Sequence, residues 1–404
     1  MRERFEKQVA DHIGTRHAIL CSSGRSTIRY SLLALGVGHG DQVIIPDFAC
    51  EILPITVFCS GASPKFCDIE RNTLALSPEH LQKHISPKTK ALIFVYLYGM
   101  PTDPKPVLEI AQKTGVAFID DAAQALGASI EGKKTGSFGD VGILSLNKFL
   151  NVRLGGVALT NNEELAAKIR SLRQKYESRA RIASLSYHII ESLGIKSEKL
   201  QTAVFLSDYH LYKLLDITLS RKHFHTVDGW INPDAYVVDS WHSNTMRNKT
   251  VNQLMTYNGK YWQRRRLEKL EMLSIQEEFA SLEKSLEKRR MIAKTYQENL
   301  KKEAFTEIAA QIDSIPSYMK FPIYFSDREQ MMKCASELVR SGFRVDCTYR
   351  PLHTSPFFSS MNKEFKFEGS TYAADHVLPL PVDPNMNFEK LSELVSVVNA
   401  QNPA

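Results

Sequence analysis

The sequence predicts an α/β protein: a large domain on a mostly parallel sheet, then a smaller C-terminal α/β domain. Three observations predict it. Short apolar runs bounded by turn residues recur through residues 1 to 170, amphipathic helical stretches separate several of them, and the same alternation returns near the C-terminus. Strands alternating with helices argue for a largely parallel sheet. At 404 residues the chain exceeds one small domain, and two domains are the default at this length.

The elements read in order. The start, "MRERFEKQVADHIG", is charged and amphipathic and has no signal-peptide apolar region. "HAILCSSG", "DQVIIPDF", "SPKFCDI", "KALIFVYLYG", "VAFIDDA", "VGILSL" and "GGVALTN" read as buried strands. Between several of them lie the helical patterns "RSTIRYSLLALG", "SPEHLQKHI" and "PKPVLEIAQKTG". Residues 163 to 180 form a long charged helix. From about 181 to 262 the periodicity blurs, and this stretch holds Trp230, Trp241 and Trp262; it reads as an insertion or irregular subdomain. From Arg264 to Leu300 the pattern is helical again, with Ile275, Phe279, Leu282 and Leu286 stepping along one face. The Arg264-Arg265-Arg266 run reads as a solvated helix start rather than a phosphate contact, because nothing aromatic interleaves with it. The tail alternates "YMKFPIYF", "REQMMKCASELVRSG", "FRVDCTY", "HVLPLPV" and "NFEKLSELVSVVNA". The expected division is a large domain over 1–180, the insertion over 181–262 and the small domain over 263–404.

Composition narrows the function. A hydrophobic share of 43% with 24% charged residues suits a globular chain with a sizeable core. The net charge of +6 is modest for this length, and a nucleic-acid binder concentrates far more basic charge on one face. No window reaches the roughly 18 apolar residues of a membrane helix. Cys21, Cys50, Cys59, Cys67, Cys334 and Cys347 form no CxxC pair. They read as reduced thiols of a cytoplasmic protein, with neither a disulfide framework nor a metal site.

Four features carry chemistry. "CSSGRST" (21–27) follows a strand and opens a helix, where backbone N–H groups make an anion site, although small residues also cap helices that bind nothing. "DDAAQ" (120–124) puts two acids at the end of an apolar run. "GSFGD" (136–140) is a tight turn. "SLNKFLNVRLGG" (145–156) sets one lysine between a buried strand and a Gly-Gly turn. Burial lowers a lysine's pKa and suits it to a Schiff base; the bland alternative is a lysine that snorkels from a strand end. A lysine, an acid for a pyridinium nitrogen and a phosphate cradle together suit pyridoxal phosphate (PLP) better than any other cofactor.

At these residues the sequence resembles the DegT/DnrJ/EryC1/StrS group of PLP-dependent sugar aminotransferases, which have the fold-type I transferase fold. The matching stretches include "SSGRSTIRYSLLALGVGHGDQVIIPDFAC", "YLYGMPTD", "AFIDDAAQALGASIEGKKTGSFGDVGILSLNK", "GGVALTNNEELAAKIR" and "YRPLHTSP". They cover residues 1 to about 172 and resume at about 272. The resemblance implies that Lys148 forms the Schiff base and that Asp121 holds the pyridine nitrogen protonated. It places Gln124 beside the ring near its phenolic oxygen, and gives Ser145, Gly24, Arg25 and Ser26 to the phosphate. It leaves Asp120 a structural role and sets His353 near the substrate mouth, although a lone loop histidine is more often structural; Arg350 beside it is a candidate to bind a carboxylate or phosphate. It further implies an amino-acid donor, glutamate in this family, a nucleotide-linked keto sugar as acceptor, and a homodimer with sites at the interface.

The chain also departs from the family. Two residues, not three, separate Ser145 from Lys148. Cys50 stands where relatives stack an aromatic on the ring. Leu154, beside Arg153, replaces the acid before the final Gly-Gly. The Asn-x-Arg expected near Lys269 to Glu271 is absent. These departures keep open a non-sugar acceptor, or a pseudoenzyme used as a binding module. Dehydratase relatives carry His in place of the lysine, so Lys148 argues against that chemistry.

Overall fold

In the computed structural model, the residues described are 1–152, 154–177, 267, 269–301, 305–308, 313–343, 345, 349–355, 358 and 365–401. The proposed insertion, its three tryptophans, Arg264–Arg266, Arg153 and Cys347 lie outside them.

The elements of the first part are α1 Arg2–Ile13, β1 His17–Cys21, α2 Gly24–Ala34, β2 Gln42–Pro46, α3 Ile52–Cys59, β3 Ser63–Cys67, α4 Pro78–His84, β4 Thr89–Val95, α5 Lys105–Thr114, β5 Ala117–Asp121, β6 Ser129–Ile130, β7 Lys133–Lys134, β8 Val141–Ser145, β9 Gly156–Thr160 and α6 Glu163–Tyr176. The second part holds α7 Lys269–Ala280, α8 Leu282–Asn299, β10 Phe305–Glu307, β11 Ser314–Ile315, β12 Lys320–Phe325, α9 Arg328–Arg340, α10 Glu368–His376, β13 Val377–Pro381 and α11 Phe388–Ala400.

Seven strands form the main sheet in the order β1-β9-β8-β5-β4-β2-β3. Every pair from β8 to β3 is parallel, and β9 alone runs against its neighbours β1 and β8. The strands read as unbroken apolar runs because both faces are covered. Ile19, Val43, Ile45, Ile93, Ile119 and Ile143 point into one core with α2, α3 and α6. Leu20, Ile44, Leu92, Phe94, Phe118 and Leu144 point into the other with α1, α5 and α7. Successive side chains of each strand therefore feed opposite cores.

The helical stretch expected from Arg264 to Leu300 is two helices, broken at Ser281. Ile275, Phe279, Leu282 and Leu286 do share one buried core, where Phe279 meets Phe5 edge-on at 5.3 Å. The second half of α8 turns to the other core through Ile292, Ala293 and Tyr296. The helix expected over 163–180 stops at Tyr176, and residues 178–180 lie outside the described residues. Helix α3 has no sequence signature. Its residues "ILPITVFC" are apolar almost all round, so no helical period stands out.

The C-terminal layer is the sheet β10-β12-β13 with α9, α10 and α11. It is tied to the first part by β11, which pairs with β6 at Ser314–Ile130 and Ile315–Ser129.

Candidate active site

Six of the seven main-sheet strands point the same way, so their carboxyl ends share one rim. In open parallel sheets the loops on that rim are where ligands bind. The segment after β1 holds Gly24, Arg25 and Ser26. Cys50 follows β2, Asp121 ends β5 with Gln124 just beyond, and Ser145 ends β8 with Lys148 three residues on.

The α2 N-terminus is built as a cup. Ser23 is its N-cap, and Ser23 with Ser26 closes a capping box: the Ser26 amide donates to Ser23 Oγ and the Ser23 amide to Ser26 Oγ. Ser26 is fully buried and its hydroxyl also donates to the Ser23 carbonyl. Ser26 therefore shapes the turn, and Gly24 provides the first N–H of the helix. The Gly-Gly turn backs this cup. A Cβ on Gly156 would stand 2.4 Å from the carbonyl carbon of Ser23, so only glycine fits there. Ser145 closes the opposite side: a Cβ on Gly24 would lie 3.0 Å from Ser145 Oγ, which donates to Asn147 Oδ1 at 2.9 Å.

The two adjacent acids have different surroundings. Asp120 accepts the Phe138 amide at 2.7 Å and so ties the "GSFGD" turn to β5. Burial pushes its carboxyl up to about 6, against the pull of that bond. This matches the structural role expected of it. Asp121 accepts the Ala123 amide at 2.9 Å. Burial raises its carboxyl as well, and the nearby Lys148 charge opposes the rise. Burial also raises the Cys50 thiol, and the charges of Lys148 and Arg25 pull it down. Lys148 thus lies within electrostatic reach of both Asp121 and Cys50, and Arg25 within reach of Cys50. Glu51 keeps an exposed surface, yet burial raises its carboxyl and Arg350 opposes this.

Gln124 is buried. Its Oε1 accepts the Tyr98 amide at 3.1 Å and its Nε2 donates to the Tyr349 hydroxyl at 2.9 Å. His353 is brought to the same rim by Asp47, a fully buried acid just after β2. Asp47 Oδ1 accepts the His353 amide at 2.8 Å, and His353 Nδ1 lies 2.7 Å from Oδ2. The imidazole stacks on Phe367 at 4.6 Å. Burial raises the Asp47 carboxyl and its bonds to His353 lower it. Arg350 stays exposed, its Nε donating to Thr354 Oγ1.

Sequence reading passed over Asp47, Tyr98 and Tyr349. Their partners lie far along the chain or behind a turn, and no local spacing announces them. One signal was present: Asp47 is an acid directly after an apolar strand, much as Asp121 closes one.

A lysine, a buried carboxylate and a helix N-terminus on one rim of a mostly parallel sheet define a fold-type I PLP-dependent transferase architecture. The chain belongs to the DegT/DnrJ/EryC1/StrS aminotransferase family, which it matches over residues 1–227 and 240–399. It is 41% identical over 171 residues to a GDP-perosamine synthase of Caulobacter vibrioides, covering 42% of this chain and 46% of that protein. It is 35% identical over 223 residues to a UDP-2-acetamido-2-deoxy-3-oxo-D-glucuronate aminotransferase of Pseudomonas aeruginosa, covering 54% and 60%. The chain thus spans about half the length of such curated relatives. Among solved structures it resembles DesV of S. venezuelae with a TM-score of 0.73, at 22% identity over 100% of this chain and 90% of that one. It also resembles NtdA of Bacillus subtilis with bound PMP, TM-score 0.68 and 22% identity, over 99% and 76%.

Proposed function

We propose that this chain is a pyridoxal 5'-phosphate-dependent aminotransferase. It moves an amino group from an amino-acid donor, glutamate foremost, to a nucleotide-linked keto sugar. The observation that carries this reading is that Lys148 lies within electrostatic reach of buried Asp121 on the rim of the sheet that also holds the α2 N-terminus.

The residues fit the cofactor. A buried carboxylate raised by desolvation gains from a cation at close range, and the protonated ring nitrogen is such a cation. The α2 amides beginning at Gly24 attract a dianionic phosphate; the Ser145 hydroxyl beside them would have to leave Asn147 Oδ1 to donate to it as well. When bound, the cofactor supplies an electron sink for the donor's Cα. Asp121 keeps the proton on the ring nitrogen. Lys148 Nζ would hold the cofactor and would serve as the base that takes and returns a proton at the donor's Cα. Gln124 would face the ring, and Cys50 would offer it a smaller, polarizable group in place of an aromatic. Asp47 orients His353: with the carboxylate ionised, Nδ1 carries the proton and Nε2 is left to meet substrate. Arg350 adds a charge at the mouth for an anionic substrate group.

The acceptor class follows the names of relatives such as GDP-perosamine synthase and a UDP-N-acetyl-3-dehydro-alpha-D-glucosamine 3-aminotransferase. A second reading, a ketone without a nucleotide, is favoured by relatives such as an L-glutamine:2-deoxy-scyllo-inosose aminotransferase of Streptomyces kanamyceticus, 39% identical over 172 residues. We further propose a homodimer acting in the cytoplasm. No helix among the described residues is long and apolar enough to cross a membrane.

The test is a visible absorbance scan of the purified protein with PLP, repeated after borohydride and on Lys148→Ala. A yellow band that borohydride abolishes and the variant lacks supports the reading. A colourless protein that takes up no PLP sinks it and favours a binding module. Glutamate and glutamine, each paired with keto sugars and cyclitol ketones, then separate the two acceptor classes.

A further inference from the structure

The Gln124 side chain is gripped at both ends, and the grip defines its orientation. The Tyr98 amide can only donate, so the amide atom 3.1 Å away is oxygen. The NH2 group therefore faces the Tyr349 hydroxyl, 2.9 Å away and 225 positions along the chain. Tyr349 is itself held between two rings. It stacks on Tyr98 at 6.0 Å and 17°, and meets Phe48 edge-on at 5.9 Å. Tyr98 sits at φ 59°, a left-handed conformation that a non-glycine residue keeps only when its surroundings enforce it. The next residue, Gly99, is pinned by its carbonyl, which accepts the Ser317 amide at 3.0 Å.

We infer that Tyr349 is a positioning residue for the cofactor site: its hydroxyl sets the Gln124 amide so that the second N–H faces the cofactor's ring oxygen. The inference rests on the reading that PLP binds over Asp121. An amide NH2 has two protons. One goes to Tyr349, which leaves one for a ligand and fixes its direction. Without the hydroxyl, a buried NH2 group loses an acceptor and turns to find another. The consequence lies in ring electronics as well as packing, because a hydrogen bond to the phenolic oxygen changes the chromophore.

The experiment uses the full chain in four forms: wild type, Tyr349→Phe, Gln124→Leu and the double variant. PLP affinity and the position of the visible band are read for each, with thermal melting as a check on folding. Tyr349→Phe should weaken PLP binding roughly three- to tenfold, the scale of one hydrogen bond, and move the band. On the Gln124→Leu background the same substitution should add nothing. If Tyr349→Phe leaves affinity and band unchanged, the inference fails. It fails too if Tyr349→Phe costs as much with Gln124 absent, since Tyr349 then acts only as packing. A wild type that takes up no PLP overturns the cofactor reading first, and this inference with it.

Discussion

Asp120 and Asp121 are neighbours in one strand with divergent work, and environment alone separates them. Asp120 faces backbone amides of a turn, whereas Asp121 faces the lysine. The residue type and the strand end were legible in sequence, because an acid closing an apolar run is costly without a reason. The partners were not, since they come from the turn at 136–140 and from beyond β8. A group whose folded pKa is raised binds more protons in the folded state, so its stability contribution falls as pH rises. For Asp120 that fall spans about pH 4, the ordinary carboxylate value, to about 6. Asp120→Asn keeps an acceptor for the Phe138 amide and removes the charge. Its melting temperature should decline less than wild type across this window, and parallel curves would refute the assignment. Asp121→Asn should keep the yellow band through Lys148 while transamination drops by about a hundredfold or more. Equal turnover would remove Asp121 from the chemistry.

At the scale of elements, strand ends reach across to the C-terminal part. Asp68, just after β3, accepts the Gly369 amide, the Ser370 amide and the Ser370 hydroxyl, each within 2.8 Å. This caps helix α10 from 301 positions away. The approach is so close that a Cβ on Gly369 would lie 2.0 Å from the Ile69 carbonyl oxygen. Asp68→Ala should cost about 1–3 kcal/mol, the range for losing a cap and leaving buried donors unmet. Urea denaturation measures it, and a change near zero would mean that water replaces the carboxylate. Sequence pattern found most of the elements themselves, because long apolar runs and amphipathic periods are local. It missed α3, whose burial is too complete to leave a period. It merged α7 with α8, because the core-facing spacing of Ile275, Phe279, Leu282 and Leu286 runs straight through the break at Ser281.

For the whole molecule, the polar ties among the described residues that join the layers at the rim include Asp47 to His353, Asp68 to α10 and Gln124 to Tyr349. Each links positions hundreds apart, so a reading of local spacing had no access to them, even where it singled out His353 and Gln124. Cutting two ties should loosen the C-terminal part while the seven-stranded sheet survives. Asp47→Ala with Asp68→Ala should speed limited proteolysis within residues 305–401, and PLP should slow it again. Cleavage at the wild-type rate would show that apolar packing alone holds the layers. The placement of β9 has a further consequence, for the order in which the molecule can be made. Strand β1 is made before the other strands of its sheet, yet its partner there is β9, more than a hundred residues later. Until β9 is synthesised, β1 has no place in the sheet and the cup that follows it has no back wall. The nascent chain therefore passes through a long interval with an open apolar strand, the state in which aggregation competes with folding. Under the proposed cofactor reading, the phosphate cup is complete only once β9 is in place.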